Sequence, residues 1–461
     1  VDVLREIYDS LPPPLQRGID EVWSSIPPSI KLGTAYSDMR KLLSASDSWT
    51  QDQIHAWQNV AIKKLLQHAY STTVFYRRIF DDAGFNPESF RDVSDLQRIP
   101  SITKQTVQEN LQDMLSDAFS SKQQIRMTTG GTTGRQLVFY AQKRFTMARE
   151  KAFFDYLWSK VGYIAGTSEK VVLRNNVLPK GALWQYNHRD KSLILDPYHL
   201  TDDNCARIME KLNEVQIPFF HVYPSSALML ADYINRTGNC LRYKPKAVFA
   251  SSENLYMGQR EIVETAFGCP MLLHYGHSEM CCVASWCLEE NHYHLEEIYG
   301  YTELLDAAQK VITEPGQMGE ITATGLNNYV LPLIRYRTAD YAAYAEHNAK
   351  CHYSGRVLQD VEGRWLQEML VTSKGNKISM TAINFHSDIF DRVKFYQFYQ
   401  DTPGKVTMRI VKNDGYTQMD ETAIRHALEG KLGEFLDLEF SYVDAVEQTR
   451  NGKYRYIISK I

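Results

Sequence analysis

The feature that most restricts this chain is a change of texture near residue 125, after which short apolar runs end in glycine or serine turns and give way to helical patterns. Leu137-Val138-Phe139-Tyr140, Val171-Val172-Leu173, Ala247-Val248-Phe249-Ala250 and Met271-Leu272-Leu273 read as strands, and Arg260 to Phe267 reads as a short amphipathic helix. Such alternation predicts an α/β architecture. Ligand sites in these folds gather at loops leaving the carboxyl ends of strands. The earlier part reads as helices: Ile54, Trp57, Ala61 and Leu65 recur at helical spacing between Gln51 and Tyr70. From near Arg364 a last segment runs strand-like (Met369 to Val371), helix-like (Met380 to Phe390), strand-like (Lys405 to Val411) and helix-like (Asp420 to Leu432). It ends with Glu439 to Val443 and Tyr454 to Ile458, enough for a small α+β domain with its own core. The expected organisation is a large domain of mixed sheets and helices over 1–363 and a small C-terminal domain over 364–461.

At 461 residues the chain exceeds one ordinary domain. Its formal net charge is −4 and no long basic stripe occurs, so the electrostatic footprint of a nucleic-acid binder is missing. No apolar run reaches the length of a membrane span; the most apolar stretch, Ile217 to Ile234, is broken by His221, Pro224, Ser225, Ser226 and Asp232. Val1-Asp2-Val3 does not open a signal-peptide pattern. Seven cysteines, unevenly placed, do not imply a disulfide framework, and a reducing cytoplasm is the expected compartment.

Thr128-Thr129-Gly130-Gly131-Thr132-Thr133-Gly134-Arg135 stands just before a strand. Its glycines let backbone N–H groups turn inward without Cβ clashes, its threonines add hydroxyl donors, and Arg135 adds a cation. Such a loop can wrap a polyphosphate. The P-loop order is absent, and a glycine-rich hairpin turn is the competing reading.

The segment resembles the phosphate-binding motif of the adenylate-forming superfamily, with Gly130 for a hydroxyl residue, Arg135 for lysine and Gln136 for proline. Further motifs follow in the superfamily's order. Ser251-Ser252-Glu253-Asn254-Leu255 is similar to its adenine-site loop, and Tyr275-Gly276-His277-Ser278-Glu279 to its Tyr-Gly-x-Thr/Ser-Glu. Arg335-Tyr336-Arg337-Thr338-Ala339-Asp340 is similar to Arg-Tyr-Arg-Thr-Gly-Asp, with alanine for glycine. Gly363-Arg364 resembles the interdomain hinge and Asn451-Gly452-Lys453 the C-terminal Gly-Lys motif. Outside these motifs, Ile7-Tyr8, Phe75-Tyr76-Arg77, Thr103-Lys104 and His221-Val222-Tyr223-Pro224-Ser225-Ser226 resemble the phenylacetate–CoA ligase-like branch, which includes capsular-polysaccharide (CapK-like) proteins.

The resemblance implies ATP-dependent activation of an aryl, acyl or amino acid to an acyl-adenylate. The acyl group then passes to a thiol (coenzyme A or a carrier protein) or to an amine on a sugar or small molecule. It implies that Thr128 to Arg135, with Thr132 central, hold the β- and γ-phosphates, and that Glu279 binds Mg2+. Ser252 and Glu253, with His274, Tyr275, Gly276, His277 and Ser278, would form the adenine and nucleotide site. Asp340 would accept from the ribose hydroxyls. Arg364 would contact ribose or phosphate where the small domain swings, and Lys453 would bridge the α-phosphate and the attacking carboxylate. His221, Tyr223, Ser225 and Ser226 are candidate acid-pocket residues by position in the motif order.

The hinge departs from the pattern: no acidic or lysine residue is obvious soon after Arg364, and Gly355-Arg356 competes for the role. Arg364 is preferred because Gln367-Glu368-Met369-Leu370 follows it. Cys282, Cys287, His292, His294, Cys351 and His352 offer ligands for a structural zinc ion, as in some relatives of the branch. No Cys-x-x-Cys pair is present, and buried free thiols with ordinary surface histidines are the preferred reading. A degenerate homologue that binds nucleotide or acyl ligand without catalysis is the rival function, because of the hinge, Ala339 and Gly130.

Overall fold

The computed structural model describes residues 8, 10–129, 137–253, 255, 258–346, 351–362, 369–375, 377–379, 383, 388–432, 436–447 and 456–461. It divides into two compact units, one made of Val1–Lys41, Lys151–Ala250 and Leu255–Met271, the other of Leu42–Glu150, Ser251–Asn254 and Leu272–Ile461.

The first unit holds the α/β alternation. The strands Ala247–Ser251, Phe219–Val222, Lys170–Leu173 and Ser192–Leu195 are neighbours in that order and run parallel, with Trp184–Asn187 antiparallel at the end. Parallel neighbours need a crossover, and here the chain returns through helices. The helix Asp202–Val215 starts where the Thr201 hydroxyl accepts the Asn204 N–H, carries Asp202 and Asp203 in its first turn, and stops at Gln216 in the left-handed region. Its buried stripe, Cys205, Ile208, Met209 and Leu212, keeps the 3.6-residue period.

In the second unit, the helix Gln51–Thr72 begins in a capping box between Thr50 and Gln53. Its buried face is Ile54, Gln58, Ile62, Leu65, Leu66 and Ala69, turned slightly from the expected stripe, so that Trp57 and Ala61 are only half-buried. The polar Gln58 belongs inside because its amide donates to the Glu297 backbone oxygen at 2.9 Å and to Glu297 Oε2 at 2.8 Å.

An antiparallel sheet follows in the order Val311–Ile312, Gly300–Leu305, Met318–Gly325, Tyr336–Tyr344, Val357–Glu362, Tyr293–Leu295, Val283–Trp286 and Met271–Gly276. The C-terminal segment forms a separate four-stranded sheet, Asp437–Tyr442, Lys405–Lys412, Val393–Thr402 and Ile457–Ser459, and the helix Gln418–Leu432 buries Ile424, Leu428 and Leu432. Residues 363–368, where the sequence puts the domain boundary, lie outside the described residues. So does most of the helix expected over Met380 to Phe390, of which Asp388–Phe390 forms a 3-10 turn. Among the described residues no helix is long and apolar enough to cross a membrane.

Candidate active site

The strands Gln124–Thr128 and Val138–Gln142 form a hairpin whose last register pair is Thr128 with Val138. Thr129 closes it: its N–H donates to the Leu137 oxygen at 2.9 Å and its hydroxyl accepts the Leu137 N–H at 3.2 Å. Thr128 and Thr129 are both buried. Gly130, Gly131, Thr132, Thr133, Gly134 and Arg135, the rest of the expected phosphate loop, lie outside the described residues, as do Arg364 and Lys453.

The strand Met271–Gly276 delivers His274, Tyr275 and Gly276, and the chain continues through His277 and Ser278 to Glu279. The turn after Glu279 sits close against the sheet. A Cβ on Gly300 would lie 2.1 Å from the Cys281 backbone oxygen, and one on Gly325 would lie 3.1 Å from the Cys281 Cα. Only glycine permits that approach.

Two motifs that are distant in sequence meet here. The Tyr336 hydroxyl donates to Glu279 Oε1 at 2.8 Å, and the Tyr275 hydroxyl donates to Asp340 Oδ2 at 3.0 Å. His277 Nδ1 lies 3.4 Å from Glu279 Oε2. Both carboxylates are buried, and each is oriented by a tyrosine. Burial and the adjacent Asp340 push the Tyr275 phenol well above its ordinary range, so it stays a donor. Ser252 and Glu253 lie in the same unit; Ser252 adopts φ 73° and is exposed, and Glu253 is half-buried.

The arginines of the Arg335–Asp340 motif are clamps. Arg335 grips Glu303 through Nε at 2.9 Å and Nη2 at 3.2 Å, and gives Nη1 to the Ile99 oxygen at 2.6 Å. Arg337 holds Glu320, whose other oxygen accepts the Ala339 N–H at 3.0 Å. Ala339 stands at φ 61°, a region that costs a residue with a Cβ about 1–2 kcal/mol. Ala339→Gly is expected to raise stability by about 1 kcal/mol in denaturant unfolding, the greater freedom of glycine in the unfolded chain offsetting part of the gain.

Sequence reasoning missed Glu150. It lies in Ala148-Arg149-Glu150-Lys151, which reads as an ordinary solvated helical face. In the fold it is half-buried and accepts from the Tyr299 hydroxyl at 2.5 Å. Lost solvation raises its carboxyl from 4.5 to about 7, against the opposing effects of the Tyr299 hydrogen bond and the His277 charge. A raised folded-state pKa contributes stability below about 4.5 that is lost as pH rises towards 7. Glu150→Gln is therefore expected to flatten the fall in thermal midpoint between pH 4.5 and 7.

The acid-pocket candidates lie in the first unit. His221 is on the strand Phe219–Val222, Tyr223 follows it, and the buried Ser225 and Ser226 open the helix Pro224–Thr237, with proline at its start. Arg174 and Trp158, not singled out in the sequence, join them. Arg174 Nη1 donates to His221 Nε2 at 2.6 Å, its guanidinium lies 4.3 Å from the Tyr223 ring centre, and Trp158 meets the His221 ring edge-on at 5.0 Å.

The CapK C-terminal domain family matches residues 370–460. The chain is similar to Protein CapK of Staphylococcus aureus, 24% identical over 92% of this chain and 92% of that one. It is also similar to phenylacetate-coenzyme A ligase of Escherichia coli K12, 28% identical over 63% of this chain and 67% of that one. These likenesses support the adenylate-forming superfamily, on the phenylacetate–CoA ligase-like and CapK branch. The fold resembles that of 2-hydroxyisobutyryl-CoA ligase solved with 2-HIB-AMP and CoA, with TM-score 0.55 and 20% identity over 88% of this chain and 90% of that one.

In this fold the competing hinge arginine is already engaged. Arg356 meets Glu297 through Nε at 2.8 Å and Nη2 at 2.9 Å, and gives Nη1 to the Thr302 oxygen at 2.6 Å. Four of the six candidate zinc ligands converge: the ligand atoms of Cys287, His292, His294 and Cys351 all lie within 4.8 Å of one another. The two thiol sulfurs are 3.9 Å apart, and His294 Nε2 is 3.0 Å from Cys351 Sγ. The other two candidates stay out. Cys282 is buried beside the Thr302 hydroxyl, with its thiol pushed up to about 12 by burial, and His352 is exposed.

Proposed function

We propose that this chain uses ATP to activate a carboxylic acid as an acyl-adenylate, releasing pyrophosphate, and then transfers the acyl group to a thiol, coenzyme A foremost. The observation that carries this reading is the meeting of Tyr336 with Glu279 and of Tyr275 with Asp340. Two buried carboxylates, each oriented by a tyrosine, support reading Glu279 as the ligand of a hard cation and Asp340 as the acceptor for a pair of ribose hydroxyls. The names of the relatives agree: phenylacetate-coenzyme A ligases are among them.

In the first step a carboxylate oxygen attacks the α-phosphorus in line and the bond to pyrophosphate breaks. Two anions must approach, so positioning and charge neutralisation dominate the barrier. Thr128 to Arg135 hold the outer phosphates, Asp340 fixes the ribose, and Ser252, Glu253 and Tyr275 border the base. His274, Gly276, His277 and Ser278 complete the nucleotide site. Glu279 would hold Mg2+, which would supply positive charge to the phosphates. Lys453 reaches the α-phosphate and the attacking carboxylate. The domain over 364–461 then turns about Arg364, and the acceptor thiolate displaces AMP from the acyl carbon.

A panel of carboxylic acids in Mg2+-dependent ATP–pyrophosphate exchange tests this. Exchange with at least one acid is expected. Measurable ATP binding with silence across the panel would replace this reading with the binding-only homologue.

We further propose that Cys287, His292, His294 and Cys351 hold a structural zinc ion. The donor set suits zinc, and sulfurs in a tetrahedral site stand about 3.8 Å apart for Zn–S bonds of about 2.3 Å, against the 3.9 Å between Cys287 and Cys351. Glu290 lies 3.3 Å from His292 Nδ1, which orients the ring so that Nε2 can bind the metal. Four protein ligands leave no open position, so the ion would staple structure and not carry chemistry. Metal analysis of the purified chain is expected to find about one zinc per chain, and Cys287→Ser to lose it together with several degrees of thermal midpoint.

A further inference from the structure

We infer that the helix Pro13–Ser25 rests on an anionic membrane surface, with its exposed apolar stripe among the acyl chains and the cations beside Trp23 at the headgroups. Every residue concerned belongs to the first unit, and the inference is independent of the adenylation reading.

The helix is amphipathic with its faces reversed. Leu15, Ile19, Val22 and Trp23 share a stripe about 100° wide at 3.6 residues per turn, and they are 57%, 47%, 67% and 40% exposed. The opposite side carries Gln16, Asp20 and Ser24, and these are the covered residues. The chain holds that polar side by hydrogen bonds. The Tyr8 hydroxyl donates to Asp20 Oδ2 at 2.7 Å, and Gln16 Nε2 donates to the Tyr8 and Leu11 oxygens at 3.1 and 3.0 Å. The Ser24 hydroxyl donates to the Glu21 oxygen at 2.9 Å. A surface helix that serves only the fold turns its apolar stripe to the core. Here, among the described residues, the stripe faces outwards, and a contiguous exposed apolar patch marks an interaction surface.

Charge selects the partner. Lys31 Nζ lies 5.5 Å from the centre of the Trp23 ring, and the Arg189 guanidinium lies 4.9 Å from it. Burial holds the Lys31 ammonium below its ordinary range; Lys191, Arg189 and Lys151 push the same way, while Asp190 opposes them. Lys151 pairs with Asp155, and Glu21, 3.7 Å from His188, pairs with Arg17 at 2.8 Å. Lys31, Arg189 and Lys191 around Trp23 therefore stand against Asp190, three positive charges against one negative. Tryptophan and aliphatic side chains beside lysine and arginine are the pattern of a helix that lies in the plane of an interface. At 13 residues the helix is too short to span a bilayer. A second copy seated on the same stripe would bring two like-charged groups together, whereas anionic headgroups neutralise one.

The test is flotation of the full chain with vesicles of phosphatidylcholine, alone or mixed with phosphatidylglycerol, at low and high salt. Binding is expected to be on the order of 10-fold tighter to the mixed vesicles and to weaken with salt. Val22→Glu is expected to lower it about 10-fold or more, by placing a charge in the apolar stripe. Lys31→Glu with Arg189→Glu is expected to erase the preference for phosphatidylglycerol. Sedimentation velocity of the wild type and Val22→Glu runs alongside, and thermal midpoints check that the variants fold. A wild type that stays off the mixed vesicles overturns the inference, as does vesicle binding unchanged in a folded Val22→Glu. Self-association without vesicle binding, lost in Val22→Glu, assigns the stripe to a second copy instead. The lipid preference and salt dependence of the wild type need no variant, so a poorly folded Val22→Glu leaves the inference open to refutation.

Discussion

Lys453→Ala is expected to lower ATP–pyrophosphate exchange by about 10²–10³-fold, the usual loss when one charge-stabilising group is removed from a transition state. The attack brings a carboxylate onto a polyanion, and the ammonium of Lys453 is assigned the point where the two meet. ATP binding should change by only a few-fold, because the phosphate loop, Glu279 and Asp340, which the proposal assigns to the nucleotide, all remain. Paired measurements of exchange and of equilibrium ATP binding separate the two effects. An alanine variant that exchanges like the wild type would remove Lys453 from the adenylation step.

Arg335→Ala is expected to be the most destabilising of the substitutions considered, at about 3–5 kcal/mol, the cost of leaving a buried charge without its partner. Arg335 and Glu303 are 6% and 2% exposed, and burial raises the Glu303 carboxyl even with the guanidinium beside it. The Ile99 oxygen would lose its donor as well. Removing both charges, in Arg335→Met with Glu303→Leu, is expected to recover most of the loss, since an apolar pair of similar volume avoids the desolvation penalty. Denaturant unfolding of the single and double variants measures both. A single variant within about 1 kcal/mol of wild type would show that the pair is not what holds this motif in place.

The fold shows that Arg335 and Asp340 differ in kind. Both sit in motifs of the superfamily, and motif membership alone suggests that both touch nucleotide. In the fold Arg335 turns inwards to Glu303 while Asp340, five positions on, meets Tyr275. Residues of one motif thus turn to different partners, and a string of letters does not record the direction in which a side chain leaves the backbone.

What the sequence determined by itself was local or ordered along the chain. Apolar period and turn residues pointed to strands over 247–250 and 271–273 and to helices over 51–70 and 420–432, which fall within the observed elements Ala247–Ser251, Met271–Gly276, Gln51–Thr72 and Gln418–Leu432. The order of the motifs pointed to the superfamily. Local periodicity survives in sequence because it reflects the backbone's own repeat.

Tertiary structure alone decided which distant side chains converge. Gln58 lies on the buried face of its helix, off the expected stripe, where it meets Glu297. Cys351 reaches Cys287 and His294 because the strand Tyr293–Leu295 pairs with Val357–Glu362, setting His294 opposite Val357. Arg174 meets His221 through the register of two parallel strands 47 residues apart. Each of these contacts depends on long-range packing, through strand register in the last two, which no local pattern contains.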